Sequence, residues 1–240
     1  MIGYYIHHHG RGHLMRATSI SAALDQPVVG LSSLPSPAGT SPYRDWVQLA
    51  RDDAADSVAD PTAGGVLHWA PRDDAGLRER MAAIAAWVDR FHPAAVVVDV
   101  SIEVAALLRL LGVPVIIVAM PGDREDPAHQ LAYRLADAVL AFWTREVYDP
   151  SWLTAHHDRT HFVGALSRFD DRARPGCEPT RRRTAVLLGG AGAARSARPT
   201  ARAYRSTGSG NISVGNPPAA RRRHPGSRTP GRRCAPPTSS

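Results

Sequence analysis

Seven consecutive residues near the amino terminus, His7, His8, His9, Gly10, Arg11, Gly12 and His13, concentrate groups that can move protons or hold a ligand. An imidazole accepts a proton near neutral pH, and glycines let a chain turn sharply against a bound group. Much further on, Asp99 closes the wholly apolar run of residues 95–98. A carboxylate beside an imidazole can fix its tautomer and stabilise the imidazolium formed on proton uptake. His13 and Asp99 are therefore the candidate base and its partner.

Other chemistry competes for the same residues. Dinucleotide binding asks for G-x-G-x-x-G and an acid at the end of the second strand. Here Met15 stands at the third glycine position, and the second strand ends in Leu31-Ser32-Ser33. A metal centre would draw on the histidines. Neighbouring residues of a strand point to opposite faces, so three in a row do not easily meet one ion, and no metal ligands are expected. His7 and His8 can simply end a strand at its solvent edge. Asp99 can serve only as a helix-start residue beside Ser101. The loop 120–125, with Asp123, can wall an acceptor pocket or be a solvated connection.

These groups need a scaffold that brings them to one place. Residues 2–6 are apolar and aromatic and read as a buried strand. Leu14, Ala17, Ile20 and Leu24 follow at helical spacing, Pro27 stops the helix, and residues 28–31 form the next strand. A third strand is expected at 46–49 and an acidic, Gly-rich loop at 51–65. Leu77, Met81, Ile84, Val88 and Phe91 repeat at intervals of 4, 3, 4 and 3, with Asp73 or Asp74 placed to cap the helix and Pro93 to end it. Continuous apolar strands follow at 95–100, 115–119 and 138–142, with a last short one at 162–164. Ser101 and Asp126-Pro127 are set to start the intervening helices, and Gly112 to close the first. Such alternation implies a parallel sheet covered on both faces. The expected fold is α/β, a doubly wound, Rossmann-like parallel sheet, which binds ligands beyond the carboxyl ends of its strands. His13 and Asp99 both belong to that rim.

Composition sorts the rest of the chain. The 240 residues carry 29 Arg, no Lys and a formal net charge of +7. The last 48 hold ten of those Arg and no acid, so residues 1–192 are net −3. The high pI thus belongs to the tail, and specific nucleic-acid binding is not expected, since interleaved aromatics stop at Tyr204. Cys177 and Cys234 form no CxxC pair and suit a reducing compartment. With no signal-peptide pattern and no membrane-length apolar run, a cytoplasmic protein is expected.

Residues 2–6 running into His9-Gly10-Arg11-Gly12-His13-Leu14 resemble the amino-terminal motif of glycosyltransferases of the two-domain GT-B architecture, family 28-like members above all. The strand ending Val96-Val97-Val98-Asp99 and the step Gly112-Val113-Pro114-Val115 fit the same pattern. Residues 184–192 resemble the first strand and Gly-rich loop of the carboxyl-terminal domain. The resemblance covers residues 1–192. It implies an acceptor-binding domain at 1–166, a linker at 167–183, and the start of an incomplete donor-binding domain at 184–192. It implies His13 as the base on an acceptor hydroxyl and Asp99 as its support. His9, Gly10, Arg11, Gly12 and Asp123 would lie on the acceptor side, and Gly189, Gly190 and Gly192 on the donor phosphates. The partners are a nucleotide-sugar donor and a hydroxyl acceptor, small or lipid-linked. No cofactor and no metal is implied, because helix dipole and backbone donors can hold the leaving diphosphate.

The resemblance stops at Gly192. Residues 193–240 hold seven Pro, seven Ser and ten Arg, with Ile212 and Val214 as their only large aliphatics, and read as a disordered basic tail. A donor domain needs roughly another 150 residues. A frameshift or truncation after Gly192 in a GC-rich gene would produce this mixture and impair an inverting transferase. The alternatives are a non-catalytic α/β binding module with a basic tail and a nucleotide-sugar epimerase-like protein.

Overall fold

The computed structural model describes residues 1–53 and 58–167 and, beyond them, the backbone of two short strands at Ala185–Leu187 and Arg202–Tyr204. Gly189, Gly190, Gly192 and most of the expected linker and tail lie outside the described residues.

The elements run β1 (Ile2–Ile6), α1 (Arg11–Ala23), β2 (Val28–Ser32), β3 (Tyr43–Gln48), α2 (Ala75–Phe91), β4 (Ala95–Asp99), α3 (Ile102–Leu110), β5 (Val115–Ala119), α4 (Pro127–Leu135), β6 (Ala138–Ala141), a 3₁₀ helix (Ser151–Arg159) and β7 (Thr160–Phe162). The seven strands make one sheet in the order β3-β2-β1-β4-β5-β6-β7, and every neighbouring pair is parallel. This is the expected doubly wound α/β fold. Separately, β8 (Ala185–Leu187) pairs antiparallel with β9 (Arg202–Tyr204), and β9 falls inside the segment read as a tail. Among the described residues no helix is long and apolar enough to cross a membrane.

Alternation along the strands builds two cores. Tyr4 and Ile6 of β1 pack with Val28, Val97 and Ala17 on the α1 side of the sheet. Tyr5, Val96 and Val98 point the other way, into a larger cluster with Ile84, Trp87 and Val88 of α2 and Leu108 of α3. Each fully buried aliphatic of this kind contributes about 1.5–3 kcal/mol. The apolar stripe read from the sequence is thus the face by which α2 covers the sheet.

Helix boundaries follow side-chain caps. Of the two candidates before α2 it is Asp74 that caps, its Oδ1 accepting from Leu77 N at 2.6 Å. Ser101 Oγ accepts from Val104 N, and Asp126 Oδ1 from His129 N, with Pro127 in the first turn of α4. Two expectations need correction, and one element was missed. The third strand is Tyr43–Gln48, not 46–49: it is an edge strand with Arg44 and Asp45 exposed, so it lacks the apolar run of its neighbours. The last strand is Thr160–Phe162 rather than 162–164. The 3₁₀ helix has no apolar period to announce it, yet it buries Trp152, Leu153 and His156.

Candidate functional site

The sheet changes direction between β1 and β4: the chain leaves β1 toward β2 on one side and β4 toward β5 on the other. Such a switch point opens a crevice beyond the strand ends. Ile6 pairs with Asp99 in register, so both strands deliver their following residues to the same place. After β1 the chain turns through Gly10, whose φ of 84° disfavours any residue with a Cβ, and enters α1. No side chain caps α1, and His13 stands in its first turn. Helix polarity favours negative charge there.

His13 and Asp99 meet. The His13 Nδ1 lies 3.0 Å from Asp99 Oδ1. The carboxylate is 0% exposed and the imidazole 16%. An ionised carboxylate only accepts, so Nδ1 carries the proton and Nε2 is the ring atom left to take one from a substrate. One helical turn later, Arg16 binds the same carboxylate at two points, Nε to Oδ2 at 2.9 Å and Nη2 to Oδ1 at 3.0 Å. Its Nη2 also donates to Met120 Sδ at 3.3 Å, and its guanidinium lies 5.8 Å from the centre of the Phe142 ring. Arg16 was not among the sequence candidates. The signal was there: three residues after His13 puts it on the same helix face.

The residue after Asp99 is strained. Val100 has φ 63°, a left-handed conformation that is rare for a β-branched side chain. It joins the buried carboxylate to Ser101, the cap of α3, and holds both in place. Val100 and Met120 also line a narrow cleft of about 20 Å³, room for about one water, with His68, His129, Ile117 and Tyr133 among its other walls. The cleft is mostly apolar with a few polar groups, and it adjoins the His13–Asp99–Arg16 cluster through the first two residues.

At the far wall His68 Nε2 lies 3.2 Å from His129 Nδ1, and that nitrogen also contacts Asp126 Oδ2. Burial pushes the Asp126 carboxyl up, but the backbone N–H, ring and charge of His129 outweigh it and hold the group down at about 2. Burial lowers His129 below the usual histidine value, and Asp126 opposes that. Glu103 Oε1 accepts from the backbone N–H of His68 and Trp69, tying this wall to α3. None of these residues was singled out from sequence as part of a site, and Asp126 was expected only to start α4.

The other expected acceptor-side residues are spread along the rim. Arg11 and Gly12 are exposed at the start of α1. Asp123 is exposed, and its carboxylate accepts from Glu125 N within its own loop, so it is not joined to the His13–Asp99 pair. His9 is exposed, with its Nε2 3.4 Å from Asp53 Oδ2. Neither His7 nor His8 ends a strand at a solvent edge. Burial, helped by His8, His13 and His9, pushes His7 down to about 3 and keeps it neutral. His8 is buried, and its ring stacks on His7 at 4.9 Å between centroids. The expectation that neighbouring histidines diverge does not hold, because β1 ends at Ile6. Beyond it the pleat no longer alternates, and the rings of His8 and His9 come within 4.2 Å.

No protein-family model matches the chain, and no curated protein matches it. Solved structures do. MurG of Acinetobacter baumannii is 17% identical, with a TM-score of 0.42 over 71% of this chain and 46% of that one. UGT73P12 of Glycyrrhiza uralensis, complexed with glycyrrhetinic acid 3-O-monoglucuronide, is 12% identical, with a TM-score of 0.45 over 68% and 48%. The glycotransferase of kitacinnamycin is 15% identical, with a TM-score of 0.42 over 74% and 55%. The chain spans about half the length of these structures.

Proposed function

We propose that residues 1–166 are the acceptor-binding half of an inverting, nucleotide-sugar-dependent glycosyltransferase, with His13 as the base. The observation that carries this is the 3.0 Å contact between His13 Nδ1 and Asp99 Oδ1 at the switch point of the sheet. His13 Nε2 removes the proton of the acceptor hydroxyl as its oxygen attacks the anomeric carbon. The bond from that carbon to the diphosphate breaks on the opposite face, which inverts the centre. Asp99 keeps the proton on Nδ1 and stabilises the imidazolium. On this reading residues 184–192 would begin the donor half, with Gly189, Gly190 and Gly192 as candidates for its phosphate side.

Arg16 favours a second assignment, a non-catalytic α/β binding module. A carboxylate already met at two points by a guanidinium needs no imidazole to justify its burial. One experiment separates the two. The test uses the reading frame that would be restored if a shift after codon 192 is real, and that corrected chain is incubated with nucleotide sugars and hydroxyl acceptors, followed by mass spectrometry. His13→Ala is expected to cut transfer by about 10²–10⁴-fold, the usual worth of a general base. Unchanged transfer by a folded His13→Ala variant, or no transfer by the corrected chain with any donor, would sink the catalytic assignment.

A further inference from the structure

We propose that His8, His9 and Asp53 form a binding site for a divalent transition-metal ion of the zinc class. The ligand atoms of the three residues lie within 4.8 Å of one another. Asp53 Oδ2 is 3.5 Å from His8 Nε2 and 3.4 Å from His9 Nε2. Around a tetrahedral ion with bonds of about 2.0–2.1 Å, two ligand atoms are separated by roughly 3.3–3.4 Å. The two measured edges match that separation within about 0.2 Å.

His8 supplies an independent observation. Its side chain is 2% exposed, and among the described residues neither ring nitrogen has a hydrogen-bond partner. Buried imidazole nitrogens are ordinarily satisfied, since leaving one unpaired forfeits its hydration. The nitrogen that points at Asp53 stands too far for a strong hydrogen bond, at the distance of a second ligand to a common ion. Asp52 Oδ1 lies 3.7 Å from the same nitrogen, but its other oxygen is taken by Arg80. Asp52 therefore backs the site and does not join it. His9 is 66% exposed and leaves a path for the ion and a solvent-facing fourth position.

Charge decides which ion. Arg51 binds both oxygens of Asp53, and Arg80 binds Asp52, so two guanidinium groups balance the two carboxylates. Excess negative charge is not what would draw a cation here. Two imidazoles and one carboxylate oxygen suit zinc, cobalt or nickel, whereas calcium and magnesium want oxygen ligands. On ligation, Asp53 Oδ2 turns to the ion while Oδ1 keeps Arg51 Nε, now 2.9 Å away. The ion would tie the turn after β1 to the segment after β3. The group His68, Asp126 and His129 has ligand atoms equally close together, but these already bond one another.

The test is titration of the untagged full chain with Co²⁺, read by visible d–d absorption, and with Zn²⁺, read by calorimetry. A 1:1 complex with tetrahedral cobalt bands is expected. His9→Ala and Asp53→Asn, checked for folding by circular dichroism, should each lose more than the roughly 10–100-fold that follows from disturbing an outer-shell partner. His129→Ala should bind as the wild type does. Absence of a 1:1 complex, undiminished binding in both site variants, or loss confined to His129→Ala would overturn the assignment.

Discussion

Arg16 lies across the Asp99 carboxylate that His13 also reaches, so one buried anion serves a permanent cation and a titratable ring on the same face of one helix. The Arg16 Nη2 also sits 3.3 Å from His13 Nδ1. Asp99 fixes which His13 nitrogen carries the proton, since an ionised carboxylate only accepts. The arrangement also makes the pair easy to test by removing the cation.

Arg16→Met should destabilise the protein by about 3 kcal/mol, toward the low end for a broken buried pair because the Arg16 side chain is 19% exposed. Asp99, with no exposure, would be left with His13 as its remaining side-chain partner. Urea denaturation followed by circular dichroism measures this. An unchanged midpoint would show that the imidazole alone satisfies the carboxylate.

Arg80→Met should cost more, about 3–5 kcal/mol. The Arg80 side chain is 3% exposed and donates to Asp52 Oδ2, to the Tyr5 hydroxyl at 3.2 Å, to Ser33 Oγ at 2.8 Å and to the Ala50 carbonyl. Methionine keeps the aliphatic stem but strips the buried Asp52 carboxylate of its guanidinium, while the Ala50 carbonyl keeps Ser33 Oγ as a donor. Arg72→Ala, which breaks an exposed pair with Asp60, should stay within about 1 kcal/mol of the wild type. Equal effects in the two variants would refute the assignment of Arg80 as the clamp of this corner.

Stability should rise with pH through the window just below the ordinary histidine value, in part through His156. Burial, with Arg159 and Arg134, lowers its pKa in the fold, so the unfolded chain binds the proton more readily. Protons bound preferentially by the unfolded chain mean stability is lost as pH falls through the unfolded value near 6.5. His156 is buried, with Nε2 3.2 Å from Gln130 Oε1. His156→Gln should flatten the dependence of the denaturation midpoint between pH 5 and 7 relative to the wild type. Parallel profiles for the two proteins would contradict this.

The layout of the sheet was legible where burial is two-sided. Residues 95–98 and 115–119 are unbroken apolar runs because helices cover both faces there, and the end of the first located Asp99 without any structure. His13 was legible because a Gly-rich turn between a strand and a helix can lie only on the carboxyl rim. What failed to show is convergence from separate segments. Asp52 and Asp53 looked like part of a solvated acidic loop. Asp52 is drawn inward, while Asp53 stays exposed, because Gly76 in the first turn of α2 lets the helix close on the Arg51 carbonyl, which a Cβ there would meet at 1.7 Å. Arg80, on the polar side of the spacing read for α2, was not singled out. Its burial depends on Tyr5 and Ser33, which sequence spacing does not connect to it.

The parallel pairing of β1 with β4 sets an order of events during synthesis. Ile6 cannot pair with Asp99 until that residue has been made and freed from the ribosome, although the two strands are direct neighbours in the sheet. Contacts so distant along the chain form slowly, and until they do the apolar faces of β1 and α1 wait uncovered. The nascent amino-terminal third can close only against β2 and β3. A chaperone, or translation that does not stall between codons 50 and 100, would therefore govern how much of this protein reaches the state in which its histidine meets its aspartate.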